Sequence, residues 1–529
     1  MGGCSVDGPN GPEVEGTTET VGRFYAELAT LLPQWQQRLE ERPERLPEIE
    51  QEVHRQFARG ADLIIVGLFS LLLKNRDFEQ VAEDSRRRFA YPLQKGRQRT
   101  TKVRLLGGLF VWVNSLYCAP KKGLFRRKEP GGPGIHIELA QCGFGKGVSP
   151  ALESRVARQV ALCPSIRTAT AELERCGVPL DYKAARRISL ECGEGLLQLR
   201  LRDLEAWRAG TLPAGDELAG HRVSVQIDGG RTKIRGELRA KGKVAPELDE
   251  DGLPVKDTPG RSRPVAKRTY DADWREPKQV IIFIHDEQGM MVKKSRSTID
   301  STLLGPDAIA ELIAMHLHRL GAARALSVTF VADGAPWIWD RIPRIIEQAK
   351  LQDVPTFEVL DCCHAVHHVS MALAALNLSK QARLPLYREH RTLLRNGQWR
   401  RVVEELSALD PDAASNKALQ TELNYLRRHG EAGRLSYVSF RRQGLPIGSG
   451  SIESSIRRVI NLRVKSNAMF WREASAESLM QIRALVLTER WEERLEELGQ
   501  YRRSDRRTDW RWEPRPMSVK IEDSPTTAA

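Results

Sequence analysis

Apolar positions along the chain change period near its middle. From Val21 to about residue 90 they recur at helical spacing: Phe24, Leu28, Leu31 and Leu32, then Ile64, Leu68 and Leu72. The segment LFVWVNSLY that follows reads as a strand, and the Gly-Pro-rich EPGGPG as a loop. Between Ser149 and Glu191 lie three short helical stretches, SPALESRVARQVALC, PSIRTATAELERCGV and PLDYKAARRISLEC. Ser149 and Asp181 stand where they could cap helices, and Gly177-Val178-Pro179 breaks the last two stretches. Two short helices at a tight turn suit a helix-turn-helix, whose second helix enters a DNA major groove; any small helical bundle gives much the same pattern.

From His221 the period becomes that of strands. HRVSVQIDGG, RTKIRGELR, KQVIIFIHD, SVTFVADG and TFEVLDCC are apolar runs bounded by turn residues. Helical pattern over about 306–320 and 337–350 separates successive runs, which indicates a mixed α/β sheet. The polar, Pro-rich stretch from Ala240 to Pro277 reads as a mobile loop, residues 365–444 as a helical block, and SIESSIRRVINLRVK as the start of another helix after IGSG. The expected division is a disordered tail (1–20), a helical region (21–90), a basic region (91–148), a helix-turn-helix-like region (149–215), a sheet-bearing core (218–364), a helical insertion (365–444), the rest of the core (445–500) and a flexible tail (501–529).

A chain of 529 residues is too long for one ordinary core. Its 82 Lys+Arg against 69 Asp+Glu give a net charge of +13. From Ser85 to Lys128 there are 13 Lys or Arg and no acid, interleaved with Phe, Trp, Leu and Val. A solvated tail would be poorer in such residues, so this tract is expected to be a folded polyanion-binding surface, with Arg97, Arg99, Lys102 and Arg104 on phosphates. None of the 8 cysteines forms a C-x-x-C pair, no secretory leader is evident, and the apolar run near Leu63–Leu73 is too short to span a bilayer. A cytoplasmic, nucleoid-associated protein without a membrane partner is expected.

Three acids carry candidate chemistry. Asp228 ends VSVQID before two glycines, and Asp333 ends VTFVAD before Gly334. Carboxylates at the ends of buried strands lie where α/β sheets bind ligands, and a glycine beside them lets a bulky group approach. Singly, each is as well explained by a turn. Glu453, in GSGSIESSIRR, falls in the first turn of a helix whose other face is expected to offer Arg457, Arg458, Arg463 and Lys465. Glu473 and Glu477, on the next helix, read as surface acids. Mg²⁺ and Mn²⁺ prefer oxygen ligands, and two such ions suit in-line displacement at a phosphodiester. Asp361, Cys362, Cys363, His364, His367 and His368 could be read as a zinc site, but no second ligand cluster accompanies them; Cys362 and Cys363 read as core residues. Trp337 and Trp339 read as core residues of an amphipathic helix.

IDGG, VADGAPWIWDRI, LDCCHAVHH and GSGSIESSIRRVINLRVKSNAMFW, in this order, resemble the catalytic core of bacterial insertion-sequence transposases of the ISKra group, relatives of the Mutator-like transposases. The resemblance covers about 221–491, and more weakly 91–191. It implies an RNase H-like fold with Asp228 on the first strand, Asp333 on the fourth and Glu453 on a later helix, behind an all-helical insertion. It implies two Mg²⁺ or Mn²⁺ ions on those three acids, with Asp361 and His364 positioning groups beside them. The partners implied are double-stranded DNA, as terminal repeats and target, and further copies of the chain. Where the family carries a Cys-x-x-Cys zinc element, this chain has Cys118-Ala119-Pro120-Lys121, which lacks the second thiol. The alternatives are a catalytically inactive or domesticated DNA-binding protein, and an RNase H-like nuclease that cuts without joining.

Overall fold

The computed structural model describes the chain except residues 1–2, 7, 11–13, 15–16, 89–92, 95, 120–133, 146, 239–269, 466–468 and 505–529. Strand β1 (Gly3–Ser5) precedes a long helical hairpin, α1 (Thr17–Glu41) and α2 (Leu46–Lys74), and then α3 (Arg76–Arg88). The basic tract folds as an antiparallel ribbon of β2 (Arg97–Arg104) and β3 (Phe110–Cys118), followed by β4 (Ile135–His136) and α4 (Ile137–Gln141). The start of the chain is not the expected tail: β1 pairs with β3, opposite Cys4 to Val113, and Cys4 is buried. Pairing there covers what would otherwise be an open strand edge. Asp62 of α2 accepts from the amides of Gly107 and Leu109 at 2.9 and 3.0 Å, which ties the β2–β3 turn to the helix.

The helices α5 (Pro150–Leu162), α6 (Ile166–Arg175) and α7 (Tyr182–Arg208) follow. Ser149 caps α5 by accepting from the Leu152 amide, and Asp181 caps α7 by accepting from Lys183 and Ala184. Gly177 takes φ +82 between α6 and α7, a conformation that suits glycine. The third helix is 27 residues long and not short as its first half reads, because its second half is core.

The central sheet is built from β5 (Arg222–Gly229), with β6 (Thr232–Leu238) and β7 (Tyr270–Arg275) forming a separate ribbon, then β8 (Lys278–His285), β9 (Thr298–Thr302), helix α8 (Pro306–Arg319), β10 (Ser327–Ala332), α9 (Pro336–Trp339), α10 (Ile342–Gln348) and β11 (Thr356–Leu360). Its order is β11-β10-β5-β8-β9; β5, β10 and β11 run parallel, and β8 is antiparallel to both neighbours. This is the expected mixed sheet, with two corrections. RTKIRGELR is not one of its strands but pairs with β7, inside the stretch expected to be a loop. The fifth strand is instead the polar TIDST of β9, every residue of which is buried.

The helical block begins at α11 (Cys362–Ala375) and continues through α12 (Lys380–Arg395), α13 (Trp399–Ala408), α14 (Lys417–Glu431) and α15 (Tyr437–Arg442). It packs its apolar faces onto the sheet's main core cluster. Then come α16 (Gly450–Ile456), a π-helical turn over Arg457–Asn461, α17 (Glu473–Leu487) and α18 (Trp491–Ser504). Cys192, Leu196 and Leu199 of α7 share one core with Met480 and Leu498, while the start of α7 packs with α5 and α6 in a cluster of its own. Residues 501–504 belong to α18, where Tyr501 is buried and Arg502 pairs with Glu153 at 2.5 Å.

Among the described residues one helical segment, 43–74, is long and apolar enough to cross a membrane by length and composition. The apolar run read from sequence is only part of it. Its inward face packs against α1 and β1, and Ser70 donates to the Val14 carbonyl at 2.6 Å.

A charged knot locks α7 to the sheet. Arg200, buried, donates to Asp300 at 2.6 Å, to the Ser301 carbonyl at 3.0 Å and to Glu477 at 3.1 Å. His316 holds the other oxygen of Asp300 at 2.8 Å, while Thr302 and the Leu303 amide donate to Glu477. Glu477 is therefore a buried ion-pair partner, contrary to the surface position its sequence neighbours imply; Glu473 is only half-buried, facing Arg275 at 3.7 Å. Arg200→Met would leave two carboxylates buried without their cation, at a cost of about 3–5 kcal/mol. Denaturant unfolding should show that loss, and a change under about 1 kcal/mol would mean the knot is not closed in solution.

Candidate active site at the sheet edge

The parallel pairing of the three strands ends in one row, Ile227, Ala332 and Leu360 across β5, β10 and β11, so the next residues, Asp228, Asp333 and Asp361, stand side by side, Asp228 still paired to Gln279 of β8. Neighbouring strands are about 5 Å apart, which brings the carboxylates within reach of one another. Asp361 caps α11, accepting from the His364 amide at 3.0 Å and from the His364 ring Nδ1 at 2.6 Å. Its second oxygen accepts from the Ser449 amide at 3.0 Å.

Glu453 arrives from α16, and a residue not singled out in the sequence holds that helix down. Buried Gln226 of β5 donates to the Gly448 carbonyl at 3.1 Å and accepts from the Ile452 amide at 3.0 Å. One strand back, Gln279 donates to Ser455 Oγ at 2.7 Å. Ser449 Oγ donates to Glu453 Oε1 at 3.2 Å. The only sequence signal for Gln226 is a polar residue facing inward in an apolar strand. The ligand atoms of Asp361, His364 and Glu453 lie within 4.8 Å of one another, and they are the set among the described residues tight enough to share one ion. Asp228 and Asp333 stand outside that tight set but close enough to act on it electrostatically.

Burial pushes the Asp228 carboxyl up to about 6, with Asp333 and Glu453 adding repulsion; the Gly229 amide and His364 partly oppose this. His364 is raised above its ordinary value, first by its bond to Asp361 and further by the charges of Asp361, Asp333 and Asp228, against the effect of burial. Burial alone would raise Asp361, but bonds from the His364 ring and the Ser449 and His364 amides hold it below the usual carboxylate range. Among the described residues no Lys or Arg pairs with Asp228, Asp333 or Glu453. Oxygen donors gathered this way fit a hard divalent cation, with Asp361 committed to orienting His364.

Other expectations are changed. A Cβ on Gly334 would lie 2.0 Å from the Tyr425 ring, so this glycine makes room for a side chain of α14 and not for a ligand. Tyr425 stacks on His368 at 3.5 Å and His368 Nδ1 meets Glu422 at 2.5 Å, so His368 faces α14 and is not gathered with Asp361, His364 and Glu453. Cys362 is buried, but Cys363 is exposed because it faces outward from the first turn of α11. Trp339 is core, donating to the Asp333 carbonyl at 2.7 Å, and Trp337 is half-buried under Lys278.

Arg97, Arg99 and Lys102 are exposed on β2, with Arg99 over the Tyr117 ring and Lys102 over Phe110. Arg104 is not available: it is buried, and its Nε donates to the Gly108 carbonyl at 3.1 Å. Arg457 and Lys465 are exposed and Arg458 is half-buried. Arg463 is buried, donating to the Val160 carbonyl at 3.0 Å, because α16 gives way to the π-helical turn before reaching it.

Folded, Asp228 keeps its proton to about pH 6, against an ordinary 3.8. Between those values the folded chain binds more protons than the unfolded one, so stability falls as pH rises through that window and stays reduced at neutral pH. Asp228→Asn should therefore melt higher than the native chain at neutral pH without metal, and the gap should close below about pH 4. Added Mg²⁺ should raise the melting temperature of the native chain more than that of the variant. Equal melting of both chains across the pH range would refute the crowded-carboxylate geometry. The chain matches no protein-family model, no characterised protein and no solved structure, so what the site does has to follow from its own geometry.

Proposed function

We propose that the chain is a DNA transposase of RNase H-like fold, a polynucleotidyl transferase that cuts and joins DNA with two Mg²⁺ or Mn²⁺ ions. The observation that carries this reading is the row of Asp228 and Asp333 on adjacent parallel strands, met by Glu453 from a helix delivered after an all-helical insertion. The strand order supports the fold: numbered along the chain, the five sheet strands run 3-2-1-4-5 with the second alone reversed against the rest, the RNase H-like arrangement.

Asp228, Asp333 and Glu453 are the residues that would hold the ions. Bound divalent ions would supply activation of a water or 3′-OH and neutralise the leaving oxygen. The protein's own part is positional. Gln226 and Ser449 fix the height of Glu453 over the sheet, and Asp361 fixes the His364 ring through Nδ1, leaving Nε2 as its available nitrogen. The exposed Arg97, Arg99 and Lys102, with Arg457 and Lys465, supply phosphate contacts for double-stranded DNA.

Asp228→Asn, Asp333→Asn and Glu453→Gln should each lower cleavage and joining of DNA carrying candidate element ends by orders of magnitude while leaving DNA binding intact, and the losses should be non-additive. Glu473→Gln, a half-buried acid on α17 outside the acidic set, is the control. Normal cleavage by Glu453→Gln would show that another carboxylate completes the set. Cleavage without joined products would reduce the reading to a nuclease.

Replacing Arg97, Arg99 and Lys102 with Ala should flatten the salt dependence of DNA binding, by about 0.9 in log–log slope for each phosphate no longer neutralised. An unchanged slope would place this ribbon away from DNA. Arg104→Ala should instead lower thermal stability.

A further inference from the structure

We propose that the outward face of α2 is a seam through which two copies of this chain pair; this does not depend on the function proposed for the sheet edge. Phe57, Ala61, Ile64, Leu68 and Leu71 are all exposed, and they follow one another at intervals of 4, 3, 4 and 3 residues. That alternation is the spacing of a coiled-coil seam, in which apolar residues recur every 3.5 positions and face a partner helix. Ile65 widens the stripe, and Tyr25 and Leu32 of α1 extend it, at 65% and 59% exposure.

The reverse side of α2 is already committed. Leu63, Val66 and Leu73 are buried, and Asp62 turns inward to the β2–β3 turn. It is the one charge between Gly60 and Leu73, whereas Glu48, Glu50, Glu52, Arg55 and Arg59 keep the first half of the helix solvated. The inward face is not free for a bilayer: Asp62 accepts from the Gly107 and Leu109 amides and Ser70 donates to the Val14 carbonyl, which holds that side against the protein. The open apolar area, on the order of 600 Å² per chain, reaches the upper end for an ordinary monomer's largest patch. It approaches the roughly 800 Å² that each partner covers in a stable dimer. A second copy brings the same stripe at the same spacing, as an isologous two-fold contact requires.

Sedimentation equilibrium of the full chain in the micromolar range should show a dimer. Ile64→Gln combined with Leu68→Gln should weaken self-association about 100-fold with an unchanged circular dichroism spectrum, and its melting temperature should lose the concentration dependence that pairing gives the native chain. Leu326→Gln, an exposed apolar position away from α2, should leave it unchanged. As a check independent of the double variant's folding, Ala61→Cys should cross-link to a dimer with a long flexible bis-maleimide, above the background set by Cys176 and Cys363, and Leu326→Cys should not. A native chain that stays monomeric at tens of micromolar overturns the proposal. So does a folded double variant that pairs as tightly as the native chain, or a native chain that floats with phosphatidylcholine vesicles instead of pairing.

Discussion

The far wall of the site depends on one buried carboxylate. Asp361 precedes the helical insertion and Ser449 follows it, and the bond between them closes a loop of more than 80 residues at its base. The Cys362 amide adds a bond to the Ile447 carbonyl, and the Tyr437 hydroxyl, fully buried, donates to the Leu360 carbonyl. Closing so long a loop costs little more than closing a short one, so the insertion can be large without loosening its ends. What the ends cannot tolerate is slippage, since α16 begins at the closure and Glu453 lies one turn further on. Bonds within a water-poor interior are strong and directional, and they set the position of Glu453 where apolar contact alone would leave it free to slide.

Polar groups inside the sheet do similar work elsewhere. Gln226 and Gln279 stand on adjacent antiparallel strands and each reaches a different turn of α16. The cluster of Arg200, Asp300, Glu477 and His316 joins α7, β9, α8 and α17. Replacing such groups with packed hydrocarbon would often conserve stability, so their value lies in selecting one register and one helix orientation. At the sheet edge the balance is reversed. Among the described residues the acids there meet no Lys or Arg, and His364 is the group that offsets their mutual repulsion.

What could be read from the sequence follows from which residues advertise their surroundings. β5, β8 and β10 are rich in Val, Ile and Phe and buried on both faces, and the acids at the ends of β5 and β10 stand out against them. The order of motifs was enough to bring Glu453 to the same edge. β9 was hidden because TIDST is polar, and its burial depends on Arg200, about 100 residues earlier. Glu477, Arg463 and Arg104 mislead for the same reason: a charge is read as solvated unless its distant partner is known. Gly334 misled in the other direction, since the tight space beside it is filled by Tyr425 from the insertion. Long-range pairing, and not local propensity, is what a single chain conceals.

α7 has a mechanical consequence. Twenty-seven residues of uninterrupted helix make a rod of about 40 Å, capped at one end by Asp181 and clamped near the other by Arg200. No glycine kink or proline offers a hinge within it, although Gly193 and Gly195 lie against Ser478 and Leu498. Its clamp ties it to β9 and α17, and α5 is held to the same body a second time, by Arg463 and Arg483 donating to the Val160 and Ala161 carbonyls. The helices ahead of the sheet are thus fastened to it at two points and not one.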